Sequence, residues 1–208
     1  MGLLKKVWYF IWYDESIWSW IVNIALAFIL IKYLIYPGLG LILGTKYPIV
    51  AVVSGSMEHK PNFESWWNSA CFKVENEGNK IIKQKDIYEN KGITKEKFLS
   101  FKLRGGFNMG DIVILKGGDN LKVGDIIVFK ASNFKDPIIH RIFDINLNSN
   151  GERVYQTKGD RNCLSAPHEL EIKEDQIIGK ALFVLPLLGW IKIIAVVLFQ
   201  IFISIFGW

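Results

Sequence analysis

Residues 110–129 read GDIVILKGGDNLKVGDIIVF. Gly110-Asp111 opens a run of apolar, mostly β-branched residues, and Gly124-Asp125 opens a second. Short runs of this kind, bounded by Gly, Asp and Asn, read as strands. Asp111 to Leu115 and Asp125 to Phe129 are therefore expected to be two sheet strands joined by the turn Lys116 to Asn120. Outward from this pair the pattern continues. Pro48 to Val53 is another apolar, β-branched run, and Pro137 to Ile145 pairs naturally with Arg153 to Lys158 across the turn-rich Asn146 to Gly151. Many short strands with Gly-rich turns predict a mainly β domain, a barrel or sandwich.

Beyond the β region the composition changes. Half of the 208 residues are hydrophobic while 22% are charged, so the apolar residues must be gathered somewhere. They gather at the two ends. Trp18 to Tyr36 supplies the roughly 20 apolar residues that a membrane-crossing helix needs. Lys32 then stands near one end, Trp18, Trp20, Tyr33 and Tyr36 stand at the interfaces, and Pro37-Gly38 is expected to end the helix. The run is too long for a cleaved leader and no small-residue cleavage site follows it, so it reads as an anchor. Ala181 to Trp208 carries one charge, Lys192, and is expected to cross a second time. The predicted organisation is an N-terminal cytoplasmic segment, 1–16; a membrane helix and its exit, 17–44; a β-rich domain, 45–180, with an insert at about 58–107; and a C-terminal membrane segment, 181–208. Lys5 and Lys6 favour a cytoplasmic N-terminus. The β-rich domain then stands on the extracytoplasmic face of a cell membrane.

The net charge of +5 is mild, and basic residues alternate with acidic ones, as in Lys95-Glu96-Lys97. No basic-aromatic stripe of the kind that binds nucleic acid is present. Cys71 and Cys163 show no metal-ligand spacing and are read as two unpaired thiols, with pairing open only to a domain in an oxidising space. No metal is implied.

The chemistry-bearing stretch is Ser54-Gly55-Ser56-Met57, directly after the strand Pro48 to Val53. A serine hydroxyl needs a base to take its proton and donors for the oxyanion it generates. Gly55 permits a sharp turn that exposes Ser56, and Ser54 is placed to donate to an oxyanion. Taken alone, such a four-residue pattern is usually only a turn.

In company it says more. Ser54-Gly55-Ser56-Met57 resembles the nucleophile box of the type I signal peptidase family. Gly110-Asp111-Ile112-Val113 and Gly124 to Phe129 resemble the family's next two strands, and His140-Arg141-Ile142 its base-bearing box. Thr157-Lys158-Gly159-Asp160-Arg161-Asn162 resembles the Gly-Asp-x-Asn box, and Gly179 with Pro186 to Trp190 the C-terminal segment. Order and spacing agree from about Tyr47 to Trp190, apart from the insert. Because His140 stands where the bacterial form has lysine, the chain resembles the archaeal and endoplasmic-reticulum Ser-His type.

That resemblance implies a mainly β catalytic domain flanked by membrane helices and a serine endopeptidase that removes signal peptides from secretory preproteins. Ser56 would be the nucleophile, His140 the general base and Asp160 the supporting acid, with Ser54 and Met57 at the oxyanion and substrate side and no cofactor. Two departures bear on it. His59 stands where the family usually has proline, and Ala166 where it commonly has a second aspartate. Glu169, three residues on, is a substitute acid. His59 and His168 are read as surface residues, and Trp66-Trp67 as a cluster anchoring the insert. Two alternatives stay open: a related peptidase with other membrane-protein substrates, and a catalytically weak homologue serving as a membrane scaffold. Companion subunits are left unknown.

Overall fold

The structure, a computed structural model, describes residues 2–74, 80–132 and 134–206. Part of the expected insert, 75–79, and the last two residues of the expected C-terminal segment lie outside the described residues. The chain divides into two compact units, Met1–Lys46 and Tyr47–Trp208.

The first unit is helical. α1 (Leu3–Trp12) turns into α2 (Ile17–Leu30), whose N-cap Ser16 accepts from the Ser19 N–H. Two polar side chains inside the apolar helix serve that corner. Ser19 Oγ donates to the Phe10 carbonyl at 2.6 Å and Asn23 Nδ2 to the Ile11 carbonyl at 2.9 Å, satisfying helix-end acceptors that would otherwise be bare. Contrary to the expectation, Pro37-Gly38 does not end the helix. The chain passes through a π-helical turn, Ile31–Ile35, into α3 (Tyr36–Leu43) and stops at Gly44, which is left-handed at φ 64°. A proline ring clashes with the carbonyl four residues back; the wider turn just before it gives the room, so the helix continues. Among the described residues this helix, Ile17–Leu43, is the one long and apolar enough to cross a membrane.

The second unit is built on a six-stranded antiparallel sheet. Its strands are β1 (Ile49–Ala51), β4 (Ile112–Lys116), β5 (Ile126–Phe129), β6 (Ile138–Leu147), β7 (Arg153–Lys158) and β8 (Ile177–Leu185), in the order β1–β4–β8–β5–β6–β7. The expected β6–β7 pair is present, with Ile142 opposite Thr157. The expected direct pairing of β4 with β5 is not: β8 lies between them and bonds to both. This strand takes Ala181 to Leu185 out of the segment read as membrane-bound, because five successive apolar residues look like the start of a span whichever way they face. β5 is buried on both faces. Ile126 and Val128 pack with Val52, Met57, Phe107 and Val113, while Ile127 and Phe129 pack with Ile142, Tyr155 and Ile172.

The insert is folded. It contains α4 (Phe63–Trp67), the hairpin β2 (Ala70–Val74) with β3 (Lys80–Lys83), α5 (Gln84–Glu89) and α6 (Lys95–Leu99). Trp66, Trp67, Tyr88, Ile93 and Phe98 form a third core with Phe143 of β6, so the tryptophans anchor the insert. Cys71 of β2 is disulfide-bonded to Cys163, which corrects the reading of two unpaired thiols. After β8 the chain turns at Leu187 and enters α7 (Gly189–Phe206). Gly189 N–H donates to the Gly110 carbonyl at 2.8 Å, and Trp190 lies where a Cβ on Gly110 would be.

Candidate active site

Four short segments meet at one place. The strand leading out of β1 ends in the bend Ser54-Gly55-Ser56, with Ser54 exposed and Ser56 half-buried. β6 presents His140 on one face and Arg141 on the other, as the alternation of a strand requires. The loop after β7 brings in Gly159 to Asn162, and the short 3-10 turn Pro167–Glu169 brings in Glu169.

Ser56 Oγ lies 2.9 Å from His140 Nε2. On the other side of the ring, Nδ1 is bonded to Glu169 Oε1. Glu169 is buried and its remaining bonds are filled: Thr157 Oγ1 donates to Oε1 at 3.1 Å and the Ala166 N–H to Oε2 at 2.9 Å. Burial opposes the charge of this carboxylate, but the bonds from His140, Ala166 and Thr157 outweigh it and hold the group below its usual value. Ser54 Oγ is 3.2 Å from Ser56 Oγ. An uninterrupted hydroxyl–imidazole–carboxylate chain thus ends on a half-exposed serine. Gly159 runs directly beneath the ring; a Cβ there would come within 2.8 Å of His140 Nε2, so only glycine leaves the imidazole in place.

Asp160, the expected supporting acid, does not bond to His140. Its carboxylate receives Arg141 Nε at 2.9 Å and Nη2 at 2.7 Å, His59 Nε2 at 3.0 Å and the Tyr88 hydroxyl at 3.1 Å. Full burial opposes ionisation, but Arg141 and His59 win and hold the carboxyl far below the ordinary aspartate range. Arg141 also donates to the carbonyls of Gly124 and Leu103, 3.0 Å each. Beside this cluster Lys158 is buried, its Nζ donating to the carbonyls of Gly159 and Asn162 and to Gln84 Oε1. Burial pushes that ammonium down to about 7, against the pull of Asp160.

Two other expectations change. Met57, placed at the substrate side with an apolar filler as the equal alternative, is 1% exposed in the core, where its Sδ accepts from the Asp160 N–H at 3.4 Å. His59, read as a surface residue, is buried with its ring stacked on Trp66 at 3.8 Å. His59 could have been suspected only from its odd place after Ser56-Met57-Glu58, since its partner is 101 residues away. Among the described residues no cluster of three His, Cys, Asp or Glu side chains is arranged to hold a metal.

Comparison with known proteins finds similarity to catalytic subunits of signal peptidase complexes. The chain is 35% identical over 102 residues to the signal peptidase complex catalytic subunit sec11 of Dictyostelium discoideum, covering 46% of this chain and 57% of that relative. It is 34% identical over 103 residues to the SEC11 catalytic subunit of Lachancea thermotolerans, covering 46% and 61%, and 30% identical over 103 residues to human SEC11C, covering 46% and 54%. The chain therefore spans little more than half the length of these relatives. No family model matches it.

Proposed function

We propose that this chain, a homologue of the Sec11 catalytic subunits and through them of the type I signal peptidase family, is a membrane-anchored serine endopeptidase that removes signal peptides from exported preproteins. The observation that carries the reading is the Ser56–His140–Glu169 chain, with 2.9 Å between Ser56 Oγ and His140 Nε2 and a buried carboxylate behind the ring. As Ser56 Oγ attacks the scissile carbonyl, its proton passes to His140 Nε2, and the imidazolium then gives that proton to the leaving amine. Water repeats the sequence to release the acyl group. Glu169, rather than Asp160, holds Nδ1 protonated and stabilises the imidazolium. The Ser54 hydroxyl donates to the oxyanion.

The helix Ile17–Leu43 keeps enzyme and substrate in one bilayer, which raises their encounter. In this reading the shorter α7, whose 18 residues reach about 27 Å and fall short of a full span, crosses again where the bilayer thins to meet it. The domain between the two crossings stands on the extracytoplasmic side, which the Cys71–Cys163 disulfide supports.

Cleavage of a preprotein in liposomes by the wild type, Ser56→Ala and His140→Ala tests the proposal. Both variants should lose activity, and the wild-type product should begin just after a small residue. Turnover retained in Ser56→Ala would sink it.

A further inference from the structure

The insert between Glu58 and Phe107 looks at first like a device for choosing substrates. Its bonds point elsewhere. Its aromatic core and its hairpin converge on one segment of chain, 158–163. Trp66 Nε1 donates to the Asp160 carbonyl at 2.9 Å and the Tyr88 hydroxyl to Asp160 Oδ1 at 3.1 Å. Gln84 Nε2 reaches the carbonyls of Arg161 and Asn162 at 3.0 and 3.1 Å, and Cys71 is bonded to Cys163. The other side of the same segment is the active site. Gly159 packs beneath the His140 ring and the Arg161 N–H donates to the Ser56 carbonyl at 2.8 Å.

His59 is the link that closes this arrangement. It lies three residues after Ser56, and Nε2 bonds to Asp160 Oδ2 at 3.0 Å while its ring stacks on Trp66 at 3.8 Å and 8°. Among the described residues, His59 Nδ1 is the one buried side-chain polar atom without a hydrogen-bond partner. The polar contact of the side chain is thus spent on Asp160 alone. The backbone beside it is also tied down, since the Phe107 N–H donates to the Met57 carbonyl at 3.1 Å.

We propose that the insert is a positioning clamp for the reacting pair, acting through Asp160, with His59 as the positioning residue that joins the nucleophile turn to the segment beneath His140. The proposal rests on the Ser56–His140 reading and adds to it. A clamp sets the serine-to-imidazole geometry and leaves substrate affinity alone, and a misplacement of about 1 Å is worth on the order of a hundredfold in rate.

Three variants test it: His59→Phe, which keeps the stack and loses the bond; His59→Gln, which keeps a donor; and Tyr88→Phe, which removes one hydroxyl from Asp160. His59→Phe should lower kcat about ten- to a hundredfold with KM nearly unchanged. His59→Gln should recover most of that loss, and Tyr88→Phe should lose roughly severalfold in kcat. Nitrogen-15 spectra of the His140 imidazole in the full chain give a readout independent of turnover, and its signals should shift and broaden in His59→Phe. A raised KM at unchanged kcat would overturn the clamp in favour of substrate selection. So would unaltered His140 signals, or a kcat loss in His59→Phe that His59→Gln fails to recover. A wild type inactive on every preprotein would count against the peptidase reading, while the His140 spectra would still decide the clamp.

Discussion

Two histidines in the second unit each meet a buried carboxylate, and their surroundings separate their duties. His140 is bonded between Glu169 and the half-exposed Ser56, so it can pass a proton to something that arrives from solvent. His59 is enclosed by Trp66 and Asp160 and faces nothing that could react. The two acids should therefore fail differently when neutralised. Glu169→Gln keeps the shape but no longer stabilises an imidazolium, and kcat should fall roughly a thousand- to ten-thousandfold with little loss of melting temperature. Asp160→Asn leaves Arg141 charged and buried, which costs about 3–5 kcal/mol of stability, with the smaller loss of kcat. Side-by-side turnover and thermal melts check this ranking, and a reversed order would return the triad role to Asp160. The same groups set the acid limit of the fold. Both carboxyls titrate lower in the folded than in the unfolded chain, so their stabilisation is complete above about pH 4–5 and drains away as the pH falls further. Urea unfolding as a function of pH should show that slope, and Asp160→Asn should flatten it.

At the scale of elements, what could be read in advance depended on whether a signal was local. Ser56, His140 and the Gly159-Asp160 box stood out because each lies in a short pattern whose order along the chain could be compared, whereas Glu169 came up only as a substitute where the pattern fails at Ala166. β6 and β7 were legible because a turn-rich stretch, Asn146 to Gly151, separates two runs that read as strands. The partners of Asp160 were not, since Arg141, His59 and Tyr88 come together only through tertiary packing. β8 was hidden for another reason: Ala181 to Leu185 are apolar at every position, the exposed Phe183 and Leu185 included, so the stretch lacks the polar alternation that marks a half-exposed strand. Pro37 misled because the π-turn that accommodates it leaves no mark in the sequence. The junction of β8, α7 and β4 rests on close approach at Gly110, which has φ 89° and lies under the Trp190 indole. Gly110→Ala is strained in backbone and side chain alike, and should cost about 1–3 kcal/mol or more. A thermal melt should show it, with partial recovery in the double variant Gly110→Ala, Trp190→Ala, since only the backbone part then remains.

For the whole molecule the informative bond is the disulfide, because it reports on both stability and sidedness. It closes a sequence separation of 92 residues, joining the insert to the loop that also carries the site, and a closure of that size is worth about 4–5 kcal/mol in the chain-entropy account. Dithiothreitol should therefore lower the melting temperature of the purified chain clearly, and Cys71→Ser should do the same without reductant. Location follows from the same bond. Disulfides persist where thiols are not kept reduced by the cytosolic glutathione and thioredoxin systems, and Cys71 and Cys163 are the two cysteines of the sequence. In sealed cells, a membrane-impermeant maleimide should leave the chain unlabelled until an impermeant reductant is added, and should then label it from outside. Labelling after lysis with no reductant added would mean free thiols, and would count against both the disulfide and an oxidising location. Protection from the maleimide before reduction, followed by labelling without lysis, requires both an intact disulfide and an outward-facing domain, so a single experiment tests the bond and the topology together.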